Sequence, residues 1–284
     1  MNKLAVIIPC YKKAAELLPY ESISIINTIQ KLKLISPIYI VGPKGLNIKA
    51  YNEAFSHSFS FIDFDSRFFS SIYSYNLLLK DVKFYQEFSA YEYILIVQTD
   101  AFIFNPDYKE FFDAAVDYAG SPWFTNPINH SDNTIHVGNG GYSLRKTSSC
   151  IKVLRCNKPI FTFKETHRLV KESEFHSGKF FLTQILYALW YYYFQNNFLS
   201  GRNTMPMIYE DVFWSIVVPS VFKNFKVATP EMAIRFGFET YPSKIFELNN
   251  FKLPTGCHGF HKHEPEFWRN YIPLDEVENQ LTDK

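Results

Sequence analysis

Four short stretches of this chain carry functional groups of the kind that cation binding or proton transfer requires. The first is Gln98-Thr99-Asp100, which closes the apolar run Tyr93-Ile94-Leu95-Ile96-Val97. A carboxylate at the mouth of a buried strand binds a ligand or caps the next element, and the tripeptide alone does not choose. The second is Gly138-Asn139-Gly140-Gly141, where missing side chains allow a tight turn or the close approach of backbone to a bulky ligand. The third is Glu210-Asp211, ahead of Val212-Phe213-Trp214. Acids at a helix start complement its dipole, and an acid held beside a hydroxyl serves as a general base. The fourth holds His258, His261 and His263 within Pro254–His263. These imidazoles suit a divalent metal or a solvated segment. Structural zinc is disfavoured, because Cys257 and His258 lack two further Cys or His ligands at suitable spacing.

Such groups act only if secondary structure presents them together. Leu4-Ala5-Val6-Ile7-Ile8-Pro9 reads as a buried strand that turns at Pro9-Cys10-Tyr11. Ala14–Leu34 sets Leu17, Ile25, Ile29 and Leu32 at helical spacing, with Pro19 near the start. Pro37–Val41 is a second strand, so the chain begins with a βαβ unit and a parallel sheet follows. Phe59–Phe64 reads as a third strand, Ser71–Leu79 and the region of Phe84–Phe88 as helices, and Tyr93–Val97 as the strand leading to Asp100. A helix is expected through Tyr108–Tyr118, N-capped by Asn105 with Pro106 in its first position. Loop residues such as Asn126-Pro127-Ile128-Asn129-His130 then give way to the glycine cluster and a strand at Tyr142–Arg145. Phe163–Lys179 reads as surface, Phe180–Phe198 as an aromatic helix, Tyr209–Trp214 as a helix opening, and Val227–Phe238 as β-rich. The aromatic helix is assigned to the core or a protein interface, since no basic face accompanies it. With no repeat and no low-complexity linker, residues 1–284 are expected to form a single domain of the α/β class.

Composition removes several function classes. A formal net charge of +1 over 284 residues gives no electrostatic footprint for nucleic acid. The four cysteines, Cys10, Cys150, Cys156 and Cys257, show no CxxC spacing and read as reduced thiols. The longest apolar block, Ile185–Phe194, is about half of a bilayer span. The first ten residues lack a small-residue cleavage site and read as a strand rather than a signal peptide. A cytoplasmic location is expected, with peripheral membrane contact and a homodimer left open.

Taken in order, these stretches resemble nucleotide-sugar-dependent glycosyltransferases of the GT-A fold. More closely, they are similar to a bacterial glycosyltransferase family still classed as a domain of unknown function and found among surface-polysaccharide genes. The resemblance rests on Val6–Pro9, Ser71 with Tyr75-Asn76, Tyr91–Phe102, Gly120-Ser121-Pro122-Trp123, Gly138–Arg145, Glu210–Trp214 and Pro254–Lys262. It implies a GT-A-like, Rossmann-like domain with a mostly parallel central sheet flanked by helices. Residues 1–119 would form the nucleotide-sugar half, and 120–284 the acceptor half with a metal-binding segment near its end. Asp100 takes the place of the last aspartate of an Asp-x-Asp metal motif, with Gln98 where the first aspartate would stand. The metal implied is Mn2+ or Mg2+, with His258 as a further ligand and His261 as its competitor. Gly140 and Gly141 match the glycine loop along donor and acceptor. Pro9, Tyr11, Ser71 and Asn76 fall where base and ribose are held. Asp211 matches the catalytic base of inverting members, with Glu210 orienting the acceptor or capping the helix. Trp123 and Tyr142 suit sugar stacking or a place in the core.

The expected activity is transfer from a nucleoside-diphosphate sugar, a UDP-sugar favoured, to a glycan or lipid-linked acceptor in surface-polysaccharide synthesis. One alternative is a sugar-nucleotide pyrophosphorylase, which calls for a glycine-rich first loop where Pro9-Cys10-Tyr11-Lys12-Lys13 has none. The other is a non-catalytic glycan- or nucleotide-binding protein, kept in view by the uncharged Gln98.

Overall fold

A computed structural model of the protein describes residues 2–124, 135–172, 180–198 and 208–274. In chain order the strands are β1 (Asn2–Pro9), β2 (Ile38–Pro43), β3 (Ser60–Phe64), β4 (Tyr91–Val97), β5 (Ala101–Ile103), β6 (Tyr118–Gly120), β7 (Pro122–Trp123), β8 (His136–Val137), β9 (Tyr142–Lys146), β10 (Gly237–Phe238) and β11 (Gly256–His258). Six of them make the central sheet, in the order β3-β2-β1-β4-β9-β6. The first four neighbours are parallel, while β9 runs antiparallel to both β4 and β6. The fold is α/β with a mostly parallel sheet.

β1 and β4 are near-continuous apolar runs because both of their faces are covered. Leu4, Val6 and Ile8 point into a core shared with Ile25, Ile29 and Leu32 of the helix Pro19–Leu32. Ala5 and Ile7 point the other way, toward Leu78, Phe84, Cys150 and Trp214 on the opposite layer. Alternation with period two thus places one strand in two cores. Pro19 occupies the first turn of its helix, and Glu21 reaches back to accept the Leu18 N–H at 2.7 Å. All four cysteines are free.

A smaller sheet, β10-β11-β5, lies at the end of β4. β11 runs antiparallel to β5, pairing His258 with Ala101 and Cys257 with Phe102. This pairing carries a distant stretch of chain to the residue that follows Asp100.

Three expectations need correction. The helix expected through Tyr108–Tyr118 spans only Lys109–Asp113, and Tyr108, not Asn105, is its cap residue. Ala115 takes φ +50°, which ends the helix and frees Tyr118–Gly120 to pair with β9. The segment Val227–Phe238 is mostly the helix Pro230–Phe236 rather than β structure. Thr229 accepts from the Met232 N–H at 3.3 Å and Pro230 opens the first turn, a start signal that outweighs the β-branched content. The aromatic helix, Phe181–Phe194, buries only Gln184 and Ala188 and is therefore not a core helix. The helices Ile48–Phe55 and Thr147–Leu154 were not anticipated. The loop at Asn126–His130, residues 173–179 and the polar tail beyond residue 274 lie outside the described residues.

Candidate active site

Parallel strands present their carboxyl ends at one edge, where the turns after adjacent strands leave room for a ligand. Here the turns after β1 and β4 border a cavity of about 570 Å3, within the size range of small-molecule sites. Its wall includes Pro9, Tyr11, Ser71 and Asn76 on one side, and Gln98, Asp100 and His258 on another. Gly140, Gly141, Glu210 and Asp211 complete it. Gly138, Trp123, Tyr142 and His263 are not part of this wall, nor is the metal-ligand candidate His261. It stacks instead on Tyr20, ring centroids 3.9 Å apart.

At the β4 end, three donor atoms converge. His258 Nε2 lies 3.0 Å from Asp100 Oδ1 and 3.1 Å from Gln98 Oε1. Its Nδ1 faces Glu239 Oε1 at 2.9 Å, and Asn139 Nδ2 donates to the same oxygen at 2.6 Å. Lys262 Nζ sits 3.0 Å from the other Asp100 oxygen. Burial works against the Asp100 charge, but the His258 ring and Lys262 ammonium overcome it and hold the carboxyl well below its usual range. Burial likewise disfavours imidazolium, yet Asp100 and Glu239 push His258 up to about 10.

This donor set fits a divalent cation. A carboxylate, a carboxamide oxygen and an imidazole nitrogen face one point. Glu239 on the far nitrogen fixes the ring as second carboxylates do for metal-bound histidines. Among the described residues no group of three His, Cys, Asp or Glu is placed to hold a metal ion, so a cation here would have to displace the proton that His258 Nε2 shares with Asp100 and take its remaining coordination positions from a ligand. Gly141 makes the geometry possible, since a Cβ there would stand 2.1 Å from His258 Nε2.

The neighbouring glycine faces the second pair of acids. A Cβ on Gly140 would lie 1.9 Å from Glu210 Oε1. Glu210 is buried and held by Arg145, with Nη1–Oε2 at 2.7 Å and Nη2–Oε1 at 2.9 Å. Arg145 is itself fully buried and donates to Tyr85 Oη at 3.0 Å and Ser143 Oγ at 3.1 Å. Among the described residues no cation pairs with Asp211. Burial and then the Glu210 charge push its carboxyl up to about 7. A π-helical segment, Phe213–Val217, follows directly, and Ser215 Oγ donates to Asp211 O at 2.7 Å.

Other candidates occupy less direct places. Asn76 donates to Ile72 O at 2.8 Å and accepts the Glu210 N–H at 2.5 Å, so its amide holds the Glu-Asp segment. Ser71 caps the helix Ile72–Leu78, and Tyr11 is exposed on the rim. Tyr142 is a core residue, stacked on Phe236 at 4.9 Å. Trp123 packs where a Gly138 side chain would be. Sequence reasoning gave no role to Arg145, Glu239, Asn139 or the Lys12–Glu21 pair, whose Nζ–Oε2 distance is 2.8 Å. A charged residue inside the strand pattern Tyr142–Arg145 was the available signal for Arg145; Glu239 had none.

Residues 58–258 match the family model described as Protein of unknown function (DUF5672). The chain belongs to this family. No curated protein matches it. Among solved structures, it is similar to a galactosyltransferase, LgtC, in complex with donor and acceptor sugar analogues, at 10% identity and TM-score 0.46, covering 89% of this chain and 86% of that one. Mouse xyloside xylosyltransferase 1 gives 10% identity and TM-score 0.45, with 91% and 97% covered. Core-mannan synthase A from Aspergillus fumigatus, in an Mn/GDP form, gives 9% identity and TM-score 0.38, with 75% and 71% covered.

Proposed function

We propose that this chain is an inverting glycosyltransferase of GT-A-like fold, moving a sugar from a nucleoside-diphosphate sugar to a hydroxyl of a glycan or glycolipid acceptor. One observation carries the reading. Two successive glycines, Gly140 and Gly141, face the Glu210 carboxylate and the His258 ring, so that the base candidate Asp211 and the candidate cation site line one cavity. Transfer needs both at short range: charge to stabilise the departing diphosphate, and a base for the attacking hydroxyl.

Asp100, His258 and Gln98 would hold a divalent cation, which supplies positive charge opposite the diphosphate oxygens. Lys262 and Lys12 line the same cavity and add charge of the same sign. Glu239 keeps the His258 ring turned toward Asp100. Asp211 takes the acceptor proton, and the Arg145–Glu210 pair fixes the backbone from which it projects. A proton removed on the face opposite the leaving diphosphate corresponds to inversion at the anomeric carbon. Synthesis of a bacterial surface polysaccharide is the setting this activity suits.

A non-catalytic reading is favoured by one feature, the Lys262 ammonium already paired with Asp100. Thermal shifts with UDP, GDP, CDP and dTDP, each with Mn2+ or EDTA, separate the readings. A ligand at about 100 times its dissociation constant stabilises by about 2.7 kcal/mol. One nucleotide is expected to stabilise with Mn2+ and much less in EDTA, and its sugar conjugate should be slowly hydrolysed. Absence of any nucleotide effect overturns the nucleotide-sugar reading, and binding without turnover leaves a binding protein.

A further inference from the structure

Lys80 is a second buried cation near the Glu210-Asp211 segment, with only 1% of its surface exposed. It follows the helix Ile72–Leu78 and lies between Leu79 and Asp81. Leu78 and Leu79 belong to the apolar layer that also holds Phe84, Tyr85 and Trp214. An ammonium placed there loses its hydration, and a methionine of similar length would fill the space without that penalty. The charge therefore calls for groups that need it.

The geometry supplies them. Lys80 Nζ donates to Ile208 O at 2.7 Å, on the stretch of chain that leads into Asp211. The same short element grips this segment twice more. Asn76 Oδ1 accepts the Glu210 N–H at 2.5 Å, and Trp214 Nε1 donates to Leu79 O at 3.1 Å. Asp211 thus lies on a segment pinned both before and after it. Leu79 O also accepts from Tyr85 Oη at 2.8 Å, and Tyr85 Oη accepts from Arg145 Nη1 at 3.0 Å. Hydrogen bonds therefore run from the turn that carries Lys80 to the Arg145–Glu210 pair.

Charge balance points the same way. Arg145 and Glu210 cancel each other, so an ionised Asp211 leaves one negative charge over, which Lys80 offsets. Burial, Glu210 and Glu239 push the Asp211 carboxyl up, the Val212 N–H and Arg145 draw it down, and Tyr118 lies in the same field. Burial pulls the Lys80 ammonium down to about 8, while the charges of Glu210 and Asp211 resist that pull. Lys80 is thus still mostly cationic at neutral pH.

We propose that Lys80 is a positioning residue for Asp211: its ammonium anchors the Ile208 carbonyl and sets a positive charge outside the cavity wall, which favours the carboxylate form of the base. This role rests on Asp211 being the base of the proposed transfer.

The test is titration of the Asp211 carboxyl by carbon-13 NMR in the full-length protein labelled at aspartate, with Asp211→Asn identifying its signal. The wild-type signal should titrate near about 7. Lys80→Met should raise that midpoint by about one pH unit, the effect of losing a nearby cation, and Lys80→Arg should restore it. Under the transferase reading, kcat/KM of Lys80→Met should then fall about fivefold at pH 7 and hardly at all at pH 9, with nucleotide affinity unchanged. An Asp211 midpoint that does not move in Lys80→Met overturns the proposal, and so does a loss of kcat/KM of equal size at every pH. Lys80→Gln, which keeps an N–H for Ile208 O but no charge, carries the same test if Lys80→Met does not fold. A midpoint that moves in a protein without transferase activity upholds the coupling of Lys80 to Asp211 and removes the transferase reading instead.

Discussion

At the scale of single residues, the two acids of Glu210-Asp211 have opposite fates because one buried cation serves only one of them. Arg145 grips Glu210, and Asp211 is left with a carboxyl pushed up to about 7. A base works only when unprotonated, so kcat/KM should rise with pH through about 7 and level off above it. Asp211→Asn should lower kcat by about 10²–10⁴, with nucleotide affinity nearly unchanged by calorimetry. Retention of more than a few per cent of activity removes Asp211 from the mechanism. The Arg145–Glu210 pair makes a different prediction. Arg145→Met leaves a buried carboxylate without its partner and should cost about 3–5 kcal/mol in urea unfolding. Arg145→Met/Glu210→Met should recover much of that loss. Equal stabilities of wild type and the single variant would mean that the pair contributes no structural hold.

At the scale of elements, the site depends on loops that bring backbone unusually close to side chains. Gly141→Ala places a methyl group on the His258 ring. The protein should stay folded, because the change lies at a cavity wall, but Mn2+-dependent nucleotide stabilisation should fall to near zero in the thermal-shift series. Full retention of that stabilisation would exclude His258 from the cation site. Much of this arrangement was legible in the sequence, and for physical reasons. β1 and β4 are covered on both faces, so their apolar runs are unbroken and their ends at Pro9 and Gln98 stand out. The Gly140-Gly141 pair, Asp211 and His258 fall on short local patterns whose residue types have few other uses in combination. Less legible was whatever depends on long-range pairing. Tyr118–Gly120 has the composition to continue a helix, and becomes a strand because β9 offers an edge and Ala115 breaks the turn. Arg145 shows locally only as a charge within a strand and Glu239 shows nothing, since their partners lie 65 and 19 positions away. That His258 rather than His261 faces Asp100 likewise follows from β11 register, which sets His258 opposite Ala101.

At the scale of the whole molecule, the sheet order places the first and fourth strands side by side, and the chain returns through the glycines before β9, the Glu210-Asp211 segment and β11 to complete the cavity. The last of these returns is the β5–β11 pairing, followed by Asp100 O accepting the Gly259 N–H at 2.8 Å. A ligand that bridges Asp100 and His258 therefore acts as a rivet between two strands. Protease cleavage within Pro254–Lys262 should be slowed by nucleotide plus Mn2+ in the wild type, and not in Gly141→Ala, as read by mass spectrometry of the fragments. Equal cleavage rates with and without ligand would show that the strand is already locked. The same feature orders events at the ribosome. Asp100 is translated well before its imidazole partner, so a nascent chain lacks the Asp100–His258 contact until β11 emerges and docks, and under the proposed function catalytic competence would arrive in a single late step.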